Sequence, residues 1–175
     1  MPKLASLAVS VGVLAVIATW LFGLQPLVTA KLQVWQAFIA WGCHFHSGGK
    51  FTGTRNTTTC MIFGAIVGMV AVLLAGRLGP LGSLAAPVAV GLGATVIVLA
   101  SKLPLLAVIP SSVYGFAAIA GLILLAPGMT PVAALLPTVL SILIGAAFGY
   151  LSEILADALT KKSAPVETAA ASPAV

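Results

Sequence analysis

The chain has 175 residues and a formal net charge of +5; 61% of its residues are hydrophobic and only 6% are charged. A typical soluble domain has about 25% charged residues, so this composition excludes a soluble domain and predicts a protein that lies in the lipid bilayer. The basic residues are spread along the sequence without a basic face or arm, so we do not expect a nucleic-acid partner.

Six apolar segments follow one another along the chain. A spanning helix needs about 20 apolar residues, and lipid cannot hydrogen-bond an open backbone, so such segments must be helical. We therefore predict an all-α membrane protein with six transmembrane helices in one polytopic domain, residues 1–160. The segments are residues 4–22, 32–45, 58–75, 84–100, 109–125 and 132–155.

Both ends of the chain carry further signals. The first segment follows Lys3 and precedes "VTA", which resembles a signal peptide, but its apolar run is long and we expect it to be retained. Glu153, Asp157 and Lys161 are spaced four apart, which predicts a solvated helix end with a functional acidic pair as the alternative. Residues 161–175 are mainly Ala, Ser and Pro and predict a disordered cytoplasmic tail.

The basic residues between the segments predict the orientation. Cytoplasmic loops of membrane proteins are enriched in lysine and arginine, and an even number of helices places both termini on the same side. We therefore expect both termini in the cytoplasm. The cytoplasmic side would hold Lys3, Lys50, Arg55, Lys102, Lys161 and Lys162, and the other side would hold Lys31 and Arg77.

The two halves of the sequence are weakly similar at a shift of about 80 residues. "VSVG", "LQPL" and "GAIVG" in the first half recur as "VAVG", "KLPL" and "GAAFG" in the second, and Gly42 and Gly49 map onto Gly121 and Gly128. Three helices per copy predict two inverted-topology repeats, residues 4–77 and 84–159. The alternative is that small residues recur simply because membrane helices pack on them.

The recurring glycines are candidates for helix packing. Gly64 and Gly68 in the first half, and Gly145 and Gly149 in the second, are each spaced four apart and so share one helix face. Small residues on one face let helix backbones approach closely. We expect these faces to mediate helix contacts, including contacts between copies in a homo-oligomer.

The stretch "SKLPLLAVIP" is apolar but contains Pro104 and Pro110. Proline interrupts helices, and irregular backbone at membrane depth is tolerated only inside protein or beside water. We therefore predict that Pro110, Ser111, Ser112 and Tyr114 line a pathway. The alternative is an ordinary kinked helix whose serines bond to their own backbone.

The stretch "CHFH" places Cys43, His44 and His46 at the end of the second segment. Cys43 and His46 share a helix face, whereas His44 and His46 do not, so one helix cannot offer all three to a metal ion. We predict no metal site and interpret the stretch as a capped cytoplasmic helix end. The alternative is that His46 faces a gate or vestibule.

The following stretch, "GGKFTGTRNTTTC", is polar and predicts a loop. Threonine hydroxyls can cap a helix start, so we expect a helix to begin near Thr57 and Thr58, which are also pathway candidates. Lys50 and Arg55 would make the mouth attractive to anions. The alternative is a basic cytoplasmic loop followed by a capped helix.

Two longer stretches, "QAFIAWGCHFHSGGK" and "ASKLPLLAVIPSSVYGFAAIAG", carry a family resemblance. Together with the chain between Trp35 and Tyr150, they are similar to the YcdZ-like family of small bacterial inner-membrane proteins, a domain of unknown function (DUF1097). The resemblance implies a polytopic protein of the bacterial inner membrane. It implies no chemistry.

The sequence contains no nucleophile–base pair, phosphate loop or carboxylate dyad, so we expect neither an enzyme nor a cofactor. Few acidic residues and a possible inverted repeat favour a channel or facilitator for a small neutral or weakly anionic solute. A non-transporting scaffold or accessory subunit is the alternative. Proton-coupled or metal transport through His44 and His46 is a third possibility.

Overall fold

The computed structural model describes residues 1–160, and all of its regular structure in that range is helical. The prediction of an all-α protein is confirmed. The helices are α1 (Lys3–Phe22), α2 (Gln25–Thr29), α3 (Val34–His46), α4 (Lys50–Arg77), α5 (Ala85–Ala100), α6 (Ile109–Leu125) and α7 (Pro131–Leu159), with two short 3-10 helices at Gly79–Leu84 and Pro104–Leu106.

Four helical segments are long and apolar enough to cross a bilayer: Lys3–Phe22, Lys50–Arg77, Gly79–Ala100 and Pro131–Leu159. The protein is therefore a helical membrane protein. Helix α6 is apolar but has only 17 residues, and α3 has 13. At 1.5 Å per residue α3 is only about 20 Å long, less than the roughly 30 Å of a hydrocarbon core. Six complete spans stay a prediction.

The predicted polar loop after the second segment is wrong, because helix α4 begins at Lys50. The connection is short because Gly48 and Gly49 adopt φ angles of +110° and +64°, which glycine reaches without strain. Within the helix, the hydroxyls of Thr54 and Thr58 donate to carbonyl oxygens four residues earlier. These threonines therefore satisfy their hydroxyls inside the helix, and none of them marks its start.

The proline-containing stretch resolves into two parts. Residues 101–108 form a turn and the short 3-10 helix, so irregular backbone is confined to them. Pro110 lies in the first turn of α6, where a missing N–H costs no hydrogen bond. The alternative of a helix kinked at Pro110 is therefore wrong, because this proline begins a helix.

Helices α4 and α7 form the centre of the bundle. Helix α4 packs against α5 and α6, α7 packs against α1 and α3, and the two central helices pack against each other. Backbones meet directly at several glycines: for example, a Cβ on Gly64 of α4 would overlap the carbonyl oxygen of Ser112, and one on Gly145 of α7 would overlap that of Ala37. The helices can approach each other this closely only because glycine has no side chain.

Several contacts place the chain start, the end of α7 and the α3–α4 turn on one side of the bundle. The Met1 ammonium donates to the carbonyl oxygen of Leu159 at 3.3 Å, and Ser10 Oγ donates to that of Ser152 at 2.7 Å. The backbone amide of Lys50 donates to the carboxylate of Glu153. The predicted tail, with Lys161 and Lys162, lies outside the described residues.

We expect Gly64→Ala to destabilise the protein, because the added Cβ would overlap the Ser112 carbonyl and force α4 and α6 apart. Overpacking of this kind costs about 1–3 kcal/mol and lowers Tm by several degrees in a chain of this size. Thermal unfolding in detergent measures the change. Gly91→Ala is the control, since nothing lies within 4 Å of a Cβ there. Equal Tm values for the two variants would contradict the close contact.

Candidate functional site

A buried histidine connects the end of α3 to α7. His44 is completely buried, and its Nε2 lies 2.8 Å from Glu153 Oε2. Its ring also rests on Gly149 of α7, where a Cβ would come within 2.6 Å of the imidazole. Only glycine at this position leaves enough space for the imidazole ring between α3 and α7.

Glu153 joins three helices through one carboxylate. It is 23% exposed, and its Oε2 accepts both the His44 contact and the backbone N–H of Lys50, in the first turn of α4. A Cβ on Gly49 would come within 2.5 Å of Glu153 Oε1. Gly49 therefore permits the turn and also leaves space for the carboxylate. The carboxylate lies at the N-terminus of α4, where negative charge is favourable.

Thr54 completes this cluster. Its Oγ1 lies 3.3 Å from His44 Nδ1 and 3.1 Å from the carbonyl oxygen of Lys50. Two proton arrangements satisfy these atoms: Thr54 donates to Nδ1 of a neutral ring, or to the Lys50 carbonyl while a charged ring donates to Thr54. In both, Nε2–H donates to Glu153, so the contact is a charge-assisted hydrogen bond.

The sequence prediction missed this cluster. Glu153 is not a solvated partner of its own helix, because His44 and the start of α4 bind its carboxylate. A usable signal existed: Glu153 is one of only three acidic residues in the chain, and topology predicted the ends of α3 and α7 on the same side. The register between the two helices could not be read from the sequence.

A second polar cluster lies between α3 and α6. Cys43 Sγ donates to Ser111 Oγ at 3.0 Å, and Ser111 Oγ lies 2.9 Å from Ser47 Oγ, with all three side chains buried. Beside it, an open cavity of about 430 Å³ at the surface is lined by Cys43, by the exposed His46 and Tyr114, and by apolar neighbours. The rings of His46 and Tyr114 meet edge to face with centroids 6.1 Å apart.

The structure thus brings together some of the predicted pathway residues. Ser111, Tyr114 and His46 lie around Cys43, while His44 faces α7, as the helical spacing predicts. Other candidates lie elsewhere. Pro110 is exposed at the start of α6, and Thr58 lines a separate apolar groove on α4.

Four buried polar atoms have no hydrogen-bond partner among the described residues. Two belong to predicted pathway residues, Thr57 Oγ1 and Ser112 Oγ, and two were not predicted, Gln36 Oε1 and Trp41 Nε1. Each such group costs about 1–3 kcal/mol of desolvation unless water or another molecule reaches it. Gln36 Nε2, in contrast, donates to the carbonyl oxygen of Ala118 and to Thr138.

The packing glycines Gly64, Gly68, Gly145 and Gly149 are buried at contacts between helices of one chain, so these faces are not available for the expected contacts between copies. A Cβ on Gly68 would come 2.8 Å from Ile119 Cγ2 and 3.0 Å from the carbonyl oxygen of Phe116. Within residues 1–160, no three His, Cys, Asp or Glu side chains converge on a possible metal position. The chemistry of the site is therefore that of hydroxyls, one thiol and the His44–Glu153 pair.

The family model described as "Protein of unknown function (DUF1097)" matches residues 8–157. The chain belongs to this family. The resemblance to DUF1097 found in the sequence is confirmed. No curated protein and no solved structure matches the chain. The family description names no activity, so a functional proposal has to come from the geometry.

We expect Glu153→Ala to lower the stability by about 1–3 kcal/mol, because the buried His44 ring and the Lys50 amide lose their acceptor. Asp157→Ala removes the same charge from an exposed position on α7 and should change stability by less than about 0.5 kcal/mol. Thermal unfolding in detergent compares the two variants.

A double-mutant cycle sharpens this test. His44→Ala, Glu153→Ala and the combined variant should show a coupling of about 0.5–3 kcal/mol, as expected for residues in direct contact. Strictly additive effects would mean that the His44–Glu153 contact contributes nothing to stability.

Proposed function

We propose that this membrane protein is a non-enzymatic channel or facilitator for a small neutral or weakly anionic solute. The observation that carries the proposal is the pair of buried hydroxyls without partners, Thr57 and Ser112. Ser112 follows Ser111 of the second cluster, and Thr57 lies two turns before Gly64, which contacts Ser112. We propose that these residues together line a polar seam between α3, α4 and α6.

A membrane protein gains nothing from unpaired hydroxyls in a dry interface. Burying such a group without a partner is unfavourable, and water or a polar solute removes the cost. The seam carries hydroxyls and a thiol but no carboxylate, since Glu153 is bound to His44 and Lys50. This composition favours a neutral or weakly anionic solute over a metal cation.

An inverted repeat is part of the proposal and has support from packing. Gly64 contacts Ser112 and Gly68 contacts Ile119, while Gly145 contacts Ala37 and Gly149 contacts His44. The partners are shifted by the same amount, 75 residues (112 minus 37, and 119 minus 44). This register pairs His44 with Ile119, whereas the sequence matches pair it with Ile123.

The same correspondence pairs α3 with α6, which have 13 and 17 residues. In transporters built from inverted repeats, short or interrupted segments at equivalent positions of the two halves mark the substrate site. Both helices contribute to the seam, α3 through Cys43 and α6 through Ser111 and Ser112. We therefore propose the α3–α6 contact as the route, with six membrane-embedded segments in two halves.

A non-transporting scaffold or accessory subunit is the second candidate. It is favoured by the backbone contacts at Gly64 and Gly115, which leave no space between α4 and α6 at those points. Proton-coupled transport through His44 is a third, favoured by the Glu153 carboxylate at 2.8 Å. Flux measurements separate all three.

We expect the combined variant Thr57→Val and Ser112→Ala to reduce solute flux several-fold while leaving stability unchanged or raised, because the lost hydroxyls have no partners. Swelling of proteoliposomes with urea, short amides, formate and glycerol measures flux. Thr95→Val, on the exposed face of α5, is the control for losing a hydroxyl.

Absence of flux for every solute from folded, reconstituted protein would favour the scaffold. Flux that is unaffected by the Thr57 and Ser112 substitutions would mean that the route lies elsewhere. Loss of a proton-driven flux in the variant with both His44→Ala and His46→Ala would favour the third candidate.

We further propose a homo-oligomer in the bacterial inner membrane with both termini in the cytoplasm. The contacts that bring Met1 to Leu159 and Lys50 to Glu153 support one shared side for these positions. More basic residues lie on that side than on the side of Lys31 and Arg77, which supports a cytoplasmic assignment.

Labelling with a membrane-impermeant thiol reagent tests this orientation. The native cysteines, Cys43 and Cys60, are buried and should react slowly. In intact cells Lys31→Cys should be labelled and Lys3→Cys should not, with the reverse result in inverted vesicles. Labelling of both variants from the same side would contradict the proposed topology.

A further inference from the structure

A groove of about 640 Å³ on the surface of α4 has no part in the proposed route. It opens between α4 and the irregular segment before α6, and its walls are almost entirely carbon. The lining residues are Thr58, Thr59, Ile62, Phe63 and Ile66 of α4, facing residues 103–106.

The irregular segment is attached to α4 through the backbone of Leu105. The hydroxyl of Thr59 and the thiol of Cys60 both donate to the carbonyl oxygen of Leu105, at 3.0 and 3.5 Å. Pro104 begins a 3-10 helix there, so the backbone cannot follow α4 as a long helix would. The remaining cleft exposes apolar side chains such as Ile66 and Leu103.

The dimensions of the groove match one lipid chain. From Thr58 to Ile66 is eight residues, or about 12 Å of helix at 1.5 Å per residue. One leaflet contributes half of a hydrocarbon core of roughly 30 Å, so an acyl chain runs about that distance from headgroup to midplane.

Two basic residues lie close in the chain to residues that line the groove. Arg55 lies one helical turn before the lining residue Thr59, and Lys102 directly precedes the lining residue Leu103. Both side chains are exposed. In the part of the chain that the structure describes, the ion pair is His44–Glu153, so neither cation is paired with a carboxylate there.

We propose that this groove binds one anionic phospholipid, with an acyl chain along α4 and its phosphate between Arg55 and Lys102. Basic pockets between spanning helices suit anionic headgroups, and a zwitterionic lipid offsets its own phosphate charge. The site is independent of the proposed transport, because it shares no lining residue with the α3–α6 cavity.

Native mass spectrometry of the full chain in detergent, with phosphatidylglycerol or phosphatidylcholine added, tests the site. The unmodified protein should retain phosphatidylglycerol in preference to phosphatidylcholine. The double variant Arg55→Gln and Lys102→Gln should lose this preference, with affinity falling about tenfold or more for two cations. The double variant Lys31→Gln and Arg77→Gln removes the same charge at the predicted opposite end and should keep it.

Equal losses in the two double variants would overturn the proposal, because the effect would then be one of net charge. Displacement of the lipid by millimolar inorganic phosphate would also overturn it in favour of a site for free anions. Retention of the preference in the Arg55 and Lys102 variant would mean that other groups select the headgroup, and would overturn it as well.

A measurement on the unmodified chain does not depend on how the variants fold. Phosphatidylglycerol with a photoreactive group on one acyl chain should label Ile62, Ile66 or residues 103–106. Labelling spread evenly over the exposed faces of α1 and α5 would show that no groove holds the chain. Ile62→Trp, which fills the groove and keeps both cations, should reduce the labelling.

Discussion

The direct contact of helix backbones at glycines is the constraint on which the bundle depends. In lipid there is no strong hydrophobic force between helices, so close packing has to supply the attraction. Gly64 brings α4 onto Ser112 of α6, and Gly145 brings α7 onto Ala37 of α3. These contacts fix the distance between each central helix and its short neighbour. The proposed polar seam and the His44–Glu153 pair lie between helices that are held at these distances.

Glu153 adds hydrogen bonds that fix the helices along their axes. Glycine contacts set how near two helices lie, but they tolerate some sliding, whereas a carboxylate bound to His44 and to the Lys50 amide does not. Bonds to a charged group are stronger than neutral ones, and breaking one inside a protein leaves its partner unsatisfied. Gly149 and Gly49 make room for the imidazole and the carboxylate respectively. The small residues and the charged pair are therefore two parts of one joint between α3, α4 and α7.

The apolar runs were enough to predict where most helices lie, because lipid permits only helices for such segments. The start of α4 could not be predicted in that way. Its threonines are typical of loops and caps, but in the structure Thr54 and Thr58 bond to carbonyls within the helix. The His44–Glu153 contact joins residues 109 positions apart, and only the packing register reveals it. Composition predicts whether a segment lies in lipid or in water. Contacts between side chains on different helices depend on which helix faces the glycines bring together.

Helix α3 is bound more strongly to α7 than to α6, and this bears on any movement of these helices. At one end, α3 is held on α7 by the charge-assisted bond of His44 to Glu153. At the other end, Gln36 joins α6 and α7 through neutral bonds to Ala118 and Thr138. Separating α3 from α6 breaks neutral bonds at both ends, Cys43 to Ser111 and Gln36 to Ala118, and leaves the bond of His44 to Glu153 intact. Neutral bonds are roughly half as strong as charge-assisted ones. A conformational change that opened the seam would therefore move α6 away from α3, while the His44–Glu153 bond keeps α3 in place on α7.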